Sequence, residues 1–98
     1  MHKVVINDCY GGFALSREAE DWLYDNYGLK ADAYLDLTRH DPRLVKCVET
    51  LGEKANSTFS RLKIVEIEGR IYIIENYDGK ETIIQPDDID WIIINSHE

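Results

Sequence analysis

The side chains best suited to chemistry in this sequence fall in two short stretches. The first is Tyr10-Gly11-Gly12-Phe13, with Ser16 three positions further on. It lies between a β-rich run and a helix start. Glycines there let backbone N–H groups approach an anion, and the helix N-terminus adds partial positive charge. Tyr10 and Phe13 could stack on a planar base. The spacing matches neither the Walker loop nor the dinucleotide fingerprint. The same residues would serve equally well as a tight strand-to-helix connection, with Phe13 as a core plug.

The second stretch is Thr38-Arg39-His40-Asp41-Pro42-Arg43. Two arginines, a histidine and a helix start make it the most basic point of the chain. Arginine forks suit phosphate or carboxylate. The plainer reading is helix-start chemistry, in which Asp41 caps, Arg39 and Arg43 pair with local acids, and His40 is solvated. Were the two stretches to converge, they would form a pocket with an aromatic end and an anion-seeking end. The ligand-binding set would then be Tyr10, Gly11, Gly12, Phe13, Ser16, Arg39, His40 and Arg43.

Catalysis finds little support. Adjacent residues such as His40 and Asp41 rarely work as a pair, and no Ser or Cys nucleophile can be tied to them. His2 and His97 lie near the ends, where chains fray. No metal-ligand spacing occurs, and no cofactor is called for. The reading is of a protein that is not an enzyme.

The chain has 98 residues, a formal charge of −8 from 19 acids against 11 bases, 44% hydrophobic and 31% charged residues. That fits one α+β domain over residues 1–98, with one core and little stability to spare. An excess of acid argues against general nucleic-acid coating, which needs Lys and Arg to release counterions. No apolar run reaches the ~18 residues of a membrane span, and the early Lys3 does not suit a signal peptide. Cys9 and Cys47 are too few for a disulfide framework, so reduced thiols in a cytoplasm are expected. Seven acids and one base fall between Glu75 and Glu98. Such a surface could mimic nucleic-acid phosphates and inhibit a host protein partner, although a solvated rim is the commoner meaning.

The elements that must position these groups are readable. Residues 3–7 predict a strand. Ser16 predicts a helix N-cap, Ala19, Trp22, Leu23 and Tyr27 a helical stripe, and Gly28 its end. Residues 34–37 suit a short strand. Asp41 caps a second helix with Pro42 at its first position; Leu44, Val48, Leu51 and Ala55 form its stripe with Cys47 beside it, and Gly52 or Asn56 ends it. A β-meander follows over residues 62–67, 70–76 and 81–85, with a last strand at 91–95. Asp78-Gly79 is a strong hairpin signal. As a two-residue loop it sets Ile74 opposite Ile83 and Ile73 opposite Ile84. A second tight turn at Glu68-Gly69 would set Val65 opposite Tyr72 and Ile64 opposite Ile73. One sheet face then carries Leu62, Ile64, Ile71, Ile73 and Ile84, and the other Val65, Ile67, Tyr72, Ile74 and Ile83. Both are apolar. Two short helices cover one face, so the other is expected to meet a second copy of the chain; the alternative is that residues 31–40 fold over it.

Val4-Val5-Ile6-Asn7-Asp8-Cys9-Tyr10-Gly11-Gly12-Phe13-Ala14-Leu15-Ser16 resembles the opening of a short protein family of tailed bacteriophages and prophages. Asp41-Pro42-Arg43-Leu44-Val45, Leu51-Gly52-Glu53-Lys54-Ala55-Asn56 and Leu62-Lys63-Ile64-Val65-Glu66-Ile67 resemble its middle blocks. The C-terminal third departs from the family pattern. The resemblance implies a phage accessory protein acting in the host bacterial cytoplasm. Small oligomeric phage proteins without catalytic groups often counter host defence. The leading expectation is therefore an oligomeric, non-catalytic binder that sequesters a small nucleotide-like signal, of cyclic nucleotide or ADP-ribose type. The alternative is an acidic inhibitor of a host or defence enzyme.

Overall fold

The computed structural model describes residues 1–86. Its elements are strand β1 (His2–Asn7), helix α1 (Arg17–Tyr27), helix α2 (Pro42–Leu51), and strands β2 (Leu62–Ile67), β3 (Ile73–Tyr77) and β4 (Lys80–Ile84). Single 3₁₀ turns cover Ala33–Asp36 and Gly52–Ala55. The fold class is α+β. β1 pairs antiparallel with β2, and β3 with β4, as two separate two-stranded sheets. The expected strand at 91–95 lies outside the described residues.

Local chemistry sets the helices where the sequence placed them. The Ser16 hydroxyl accepts the Ala19 N–H at 3.1 Å and donates to the Lys54 carbonyl, tying the start of α1 to the 3₁₀ turn that follows α2. Gly28 closes α1 in the left-handed region, where a Cβ would be costly. Asp41 caps α2 through the Arg43 N–H, with Pro42 inside the first turn. Ala19 and Leu23 from α1 pack with Leu44, Val45, Cys47, Val48 and Ala55 around Val5. Cys47 is fully buried there, its thiol pushed up to about 11 by desolvation, and so acts as a core hydrophobe.

Residues 34–37 are not a strand. Ala33–Asp36 form a 3₁₀ turn, whose N–H groups find carbonyls three residues back, from Ala33 to Lys30 and from Leu37 to Tyr34. Local bonds satisfy this backbone without a ladder partner. Tyr34 is buried against Phe13, and its hydroxyl accepts the Leu15 N–H.

The hairpin at Asp78-Gly79 has the expected register, Ile74 opposite Ile83 and Ile73 opposite Ile84. Asp78 at φ 52° and Gly79 at φ 93° meet the positive-φ demand of a type I′ turn. The turn at Glu68-Gly69 does not pair β2 with β3. Instead β2 takes β1 as its partner, with Val4 opposite Val65 and Val5 opposite Ile64. Residues 68–72 carry the chain off that sheet rather than back along it.

This crossing changes what covers the second apolar face. Val5, Leu62 and Ile64 face the helices, while Val4, Ile6, Val65 and Ile67 meet Tyr72, Ile74 and Ile83 of the hairpin. The β1–β2 sheet is the middle layer. The second layer expected from another copy, or from residues 31–40, is supplied here by the chain's own hairpin. The apolar face is thereby displaced outward: Ile73 on the hairpin and Ile71 just before it remain exposed.

Candidate functional site

The open edge of β1 organises the predicted site residues. The Val5 N–H donates to the Arg39 carbonyl at 2.8 Å, and Arg39 Nη1 donates back to the Val5 carbonyl at 3.3 Å. Two residues along, the Asn7 N–H donates to Glu81 Oε1 at 2.8 Å. Glu81 takes the Arg39 guanidinium in a fork, with Nη1 to Oε1 at 2.6 Å and Nη2 to Oε2 at 2.9 Å. The Arg39–Glu81 pair thus closes a strand edge that would otherwise present unpaired backbone groups.

Arg39 and Phe13 do meet. The guanidinium carbon lies 3.5 Å from the Phe13 ring centroid, close enough for a cation–π contact. One face of the ring is therefore occupied, and the arginine is bonded to Glu81 rather than held open for phosphate. Arg43 goes elsewhere: its Nε and Nη2 donate to Asp41 at 3.0 and 2.8 Å. That guanidinium holds the Asp41 carboxyl below the usual carboxylate range. Ser16 is the α1 cap described above.

Tyr10, Gly11 and Gly12 form a packed loop. A Cβ on Gly11 would fall 1.7 Å from the Phe59 carbonyl oxygen, and one on Gly79 would fall 2.6 Å from the Tyr10 carbonyl oxygen. Backbone lies on backbone here, which only glycine permits. Asn7, fully buried, joins the three segments. Its Nδ2 donates to the Cys9 and Gly79 carbonyls, each at 2.8 Å, and its Oδ1 accepts the Arg61 N–H at 2.8 Å. The Cys9 thiol donates to the Phe59 carbonyl at 3.2 Å. Tyr10, Phe59 and Tyr77 are exposed at this end of the molecule, with the Tyr10 and Tyr77 rings edge to face.

His40, next in the chain to the Arg39 bonded at Val5, faces the His2 end of β1. Its Nδ1 is hydrogen-bonded to the Tyr72 hydroxyl at 2.6 Å. Burial raises the Tyr72 phenol above its ordinary value, against the opposing Arg39 charge. The two residues line a cavity of about 250 Å³ with His2, Ile67, Gly69 and Arg70. Among the described residues, no carboxylate lines it. The register His2 opposite Ile67 brings the start of β1 beside the 68–70 turn. No family model, curated protein or solved structure matches this chain. The chemistry must be read from these residues alone.

The eight predicted residues therefore divide. Tyr10, Gly11 and Gly12 sit at the Asn7 end, Phe13 and Arg39 stack in the middle, and His40 faces the cavity at the His2 end. Arg43 and Ser16 are bonded at helix starts. His2, Arg70 and Tyr72 are the cavity residues that sequence reasoning passed over, because the β1–β2 pairing that gathers them spans most of the chain. Among the described residues, no group of three His, Cys, Asp or Glu side chains gathers to hold a metal, and no helix is long and apolar enough to cross a membrane. Asp87, Asp88 and Asp90, three of the seven acids between Glu75 and Glu98, lie outside the described residues.

Proposed function

We propose that this chain is a non-catalytic, phage-encoded accessory protein that binds and sequesters a small nucleotide-like ligand through its phosphate. The observation that carries this is the cavity between β1 and the 68–72 segment, lined by His2, His40, Arg70 and Tyr72 and, among the described residues, by no acid. On a chain of formal charge −8, that lining concentrates cationic and hydroxyl donors where an anion can reach them. Arg70 suits short, charge-assisted bonds to phosphate oxygens, and the imidazole N–H groups add donors beside the His40–Tyr72 hydrogen bond. The phage setting and the anti-defence role rest on the block resemblance over residues 4–67.

Titration calorimetry against a panel of nucleotides, cyclic oligonucleotides and cyclic ADP-ribose isomers tests the binding. At least one member should bind at one site per chain, and His40→Ala with Arg70→Ala should weaken it about tenfold or more, equal to ~1.4 kcal/mol. Absence of binding across the panel overturns the reading.

The protein is proposed to act as a homo-oligomer. Ile73 on the hairpin and Ile71 just before it are 57% and 67% exposed, an apolar surface suited to a second copy. Sedimentation velocity should show an assembly larger than one chain. Ile73→Glu should return it to a monomer; a wild-type monomer at all concentrations rejects the assembly.

A further inference from the structure

The cavity beside His40 does not stand alone. A second, larger hollow of about 600 Å³ adjoins it, and Gly69 and Arg70 line both. Their chemistry differs sharply. The smaller one offers Arg70, two imidazoles and the Tyr72 hydroxyl. The larger one adds Glu66 and Glu68, whose carboxylates only accept hydrogen bonds, together with Met1, Ile71, Gln85 and Pro86. Gly69 turns the chain at φ 77°, and a Cβ there would meet nothing within 4 Å. Gly69 itself puts no side chain between the hollows, while the Gln85 amide donates to the Glu68 and Ile71 carbonyls on the side of the larger one.

Resting on the phosphate-binding reading above, we infer that the ligand is a terminal phosphate monoester of nucleoside-monophosphate type. Its phosphate occupies the His2–His40–Arg70–Tyr72 cavity, and its hydroxyl- or amine-bearing remainder crosses Gly69 toward Glu66 and Glu68. Three considerations select this class. The small cavity falls below the roughly 300 Å³ at which pockets begin to hold a whole drug-sized ligand, so it suits an end group. A terminal phosphate presents three acceptor oxygens and about −1.5 to −2 charge near neutral pH, enough to engage arginine, imidazole and phenol together. A phosphodiester carries only one negative charge, spread over two non-bridging oxygens, so it gives the same donors a weaker charge-assisted partner. The carboxylates beyond Gly69 would repel a second phosphate but accept bonds from ribose hydroxyls or an exocyclic amine. The site therefore reads an anion at one end and donors at the other.

Calorimetry with AMP, 3′,5′-cyclic AMP, adenosine and inorganic phosphate tests this on the full chain. AMP should bind about tenfold or more tighter than either cyclic AMP or adenosine, a difference of at least ~1.4 kcal/mol. Glu68→Gln should weaken AMP several-fold and leave inorganic phosphate unchanged, while Arg70→Ala should weaken both. Both positions are exposed, so the variants should keep the fold. Equal affinity for AMP and its cyclic diester overturns this inference while leaving phosphate binding intact. Failure of every phosphate, including the wider nucleotide panel, overturns both. Loss of inorganic phosphate binding in Glu68→Gln would show that the two hollows do not divide the ligand as described.

Discussion

Glu81→Gln should destabilise the native state by about 2–4 kcal/mol, seen as a lower denaturant midpoint at unchanged slope. A domain of this size has ~5–15 kcal/mol in all, so the loss is large. Glu81 is only 4% exposed and its partner Arg39 22%. The carboxylate accepts three bonds, two from the guanidinium and one from the Asn7 N–H. The amide keeps one acceptor oxygen, so either the Asn7 N–H or one arm of the guanidinium fork loses its partner. It also leaves a mostly buried guanidinium, stacked on Phe13, without a counter-charge. Loss of one member of such a pair costs far more than the pair is worth intact, because a desolvated charge remains.

A double-mutant cycle separates this from lost packing. Arg39→Met with Glu81→Gln removes the unpaired charge, while the introduced amide carbonyl can still accept the Asn7 N–H. The double variant should therefore be more stable than the sum of the single losses by at least ~1.5 kcal/mol. Strict additivity would mean that Arg39 and Glu81 do not act as a pair. This pairing also bears on function. If Arg39 were a phosphate ligand, ligand would have to displace Glu81 from it; the proposed site at His40 and Arg70 would leave the edge of β1 closed.

Much of this arrangement was legible in sequence, but unevenly. Ser16, Gly28, Asp41, Pro42 and the Asp78-Gly79 turn act through their immediate neighbours, and each is where local chemistry requires it. The same period-two logic that set Ile74 opposite Ile83 also puts Glu81 on the inward side with Ile83, two residues on. An acid at an inward position demands a cation, and Arg39 is one. Likewise Asn7 continues the inward series from Val5. Those two signals mark Glu81 and Asn7 as polar groups in need of partners, and the partners themselves follow only from the fold. The β1–β2 pairing had no comparable local sign. Nothing in residues 2–7 and 62–67 separates pairing with each other from pairing with the next apolar run, because both strands are apolar on both faces. Glu68-Gly69 resembles a hairpin turn, yet the chain uses it to change layers. The cavity that gathers His2, His40, Arg70 and Tyr72 depends on that choice, so only its His40 could be singled out beforehand.

Asn7→Asp is expected to be more damaging than its small size suggests, and its cost should depend on pH. Asn7 is fully buried, with both Nδ2 protons given to the Cys9 and Gly79 carbonyls and Oδ1 holding the Arg61 N–H. A carboxylate keeps the last bond but turns two attractive contacts into carbonyl oxygens facing a negative charge. The Glu81 carboxylate, already bonded to the Asn7 backbone, adds further repulsion. A cost of about 3–5 kcal/mol near neutral pH follows from burying an uncompensated charge and orphaning two acceptors. Burial, the two facing carbonyls and Glu81 disfavour the charged form and outweigh the single Arg61 N–H, so the new carboxyl should have a folded pKa above its unfolded value of ~3.9. Protonation supplies one donor, restores one of the two lost bonds and removes the charge. The deficit relative to wild type should thus be smallest below about pH 4 and grow as pH rises through the folded pKa. Urea unfolding of both proteins at pH 4 and pH 7.5 reads this difference directly, with wild type at each pH removing the contribution of other carboxyls. An equal deficit at both pH values would mean that residue 7 gains water or a cation on substitution, and that the three segments it joins are not held by its amide. With the amide bonds lost, the glycine-tight contact of Tyr10 on Gly79 should open as well, exposing the Asn7 end of β1 to protease before the helical core.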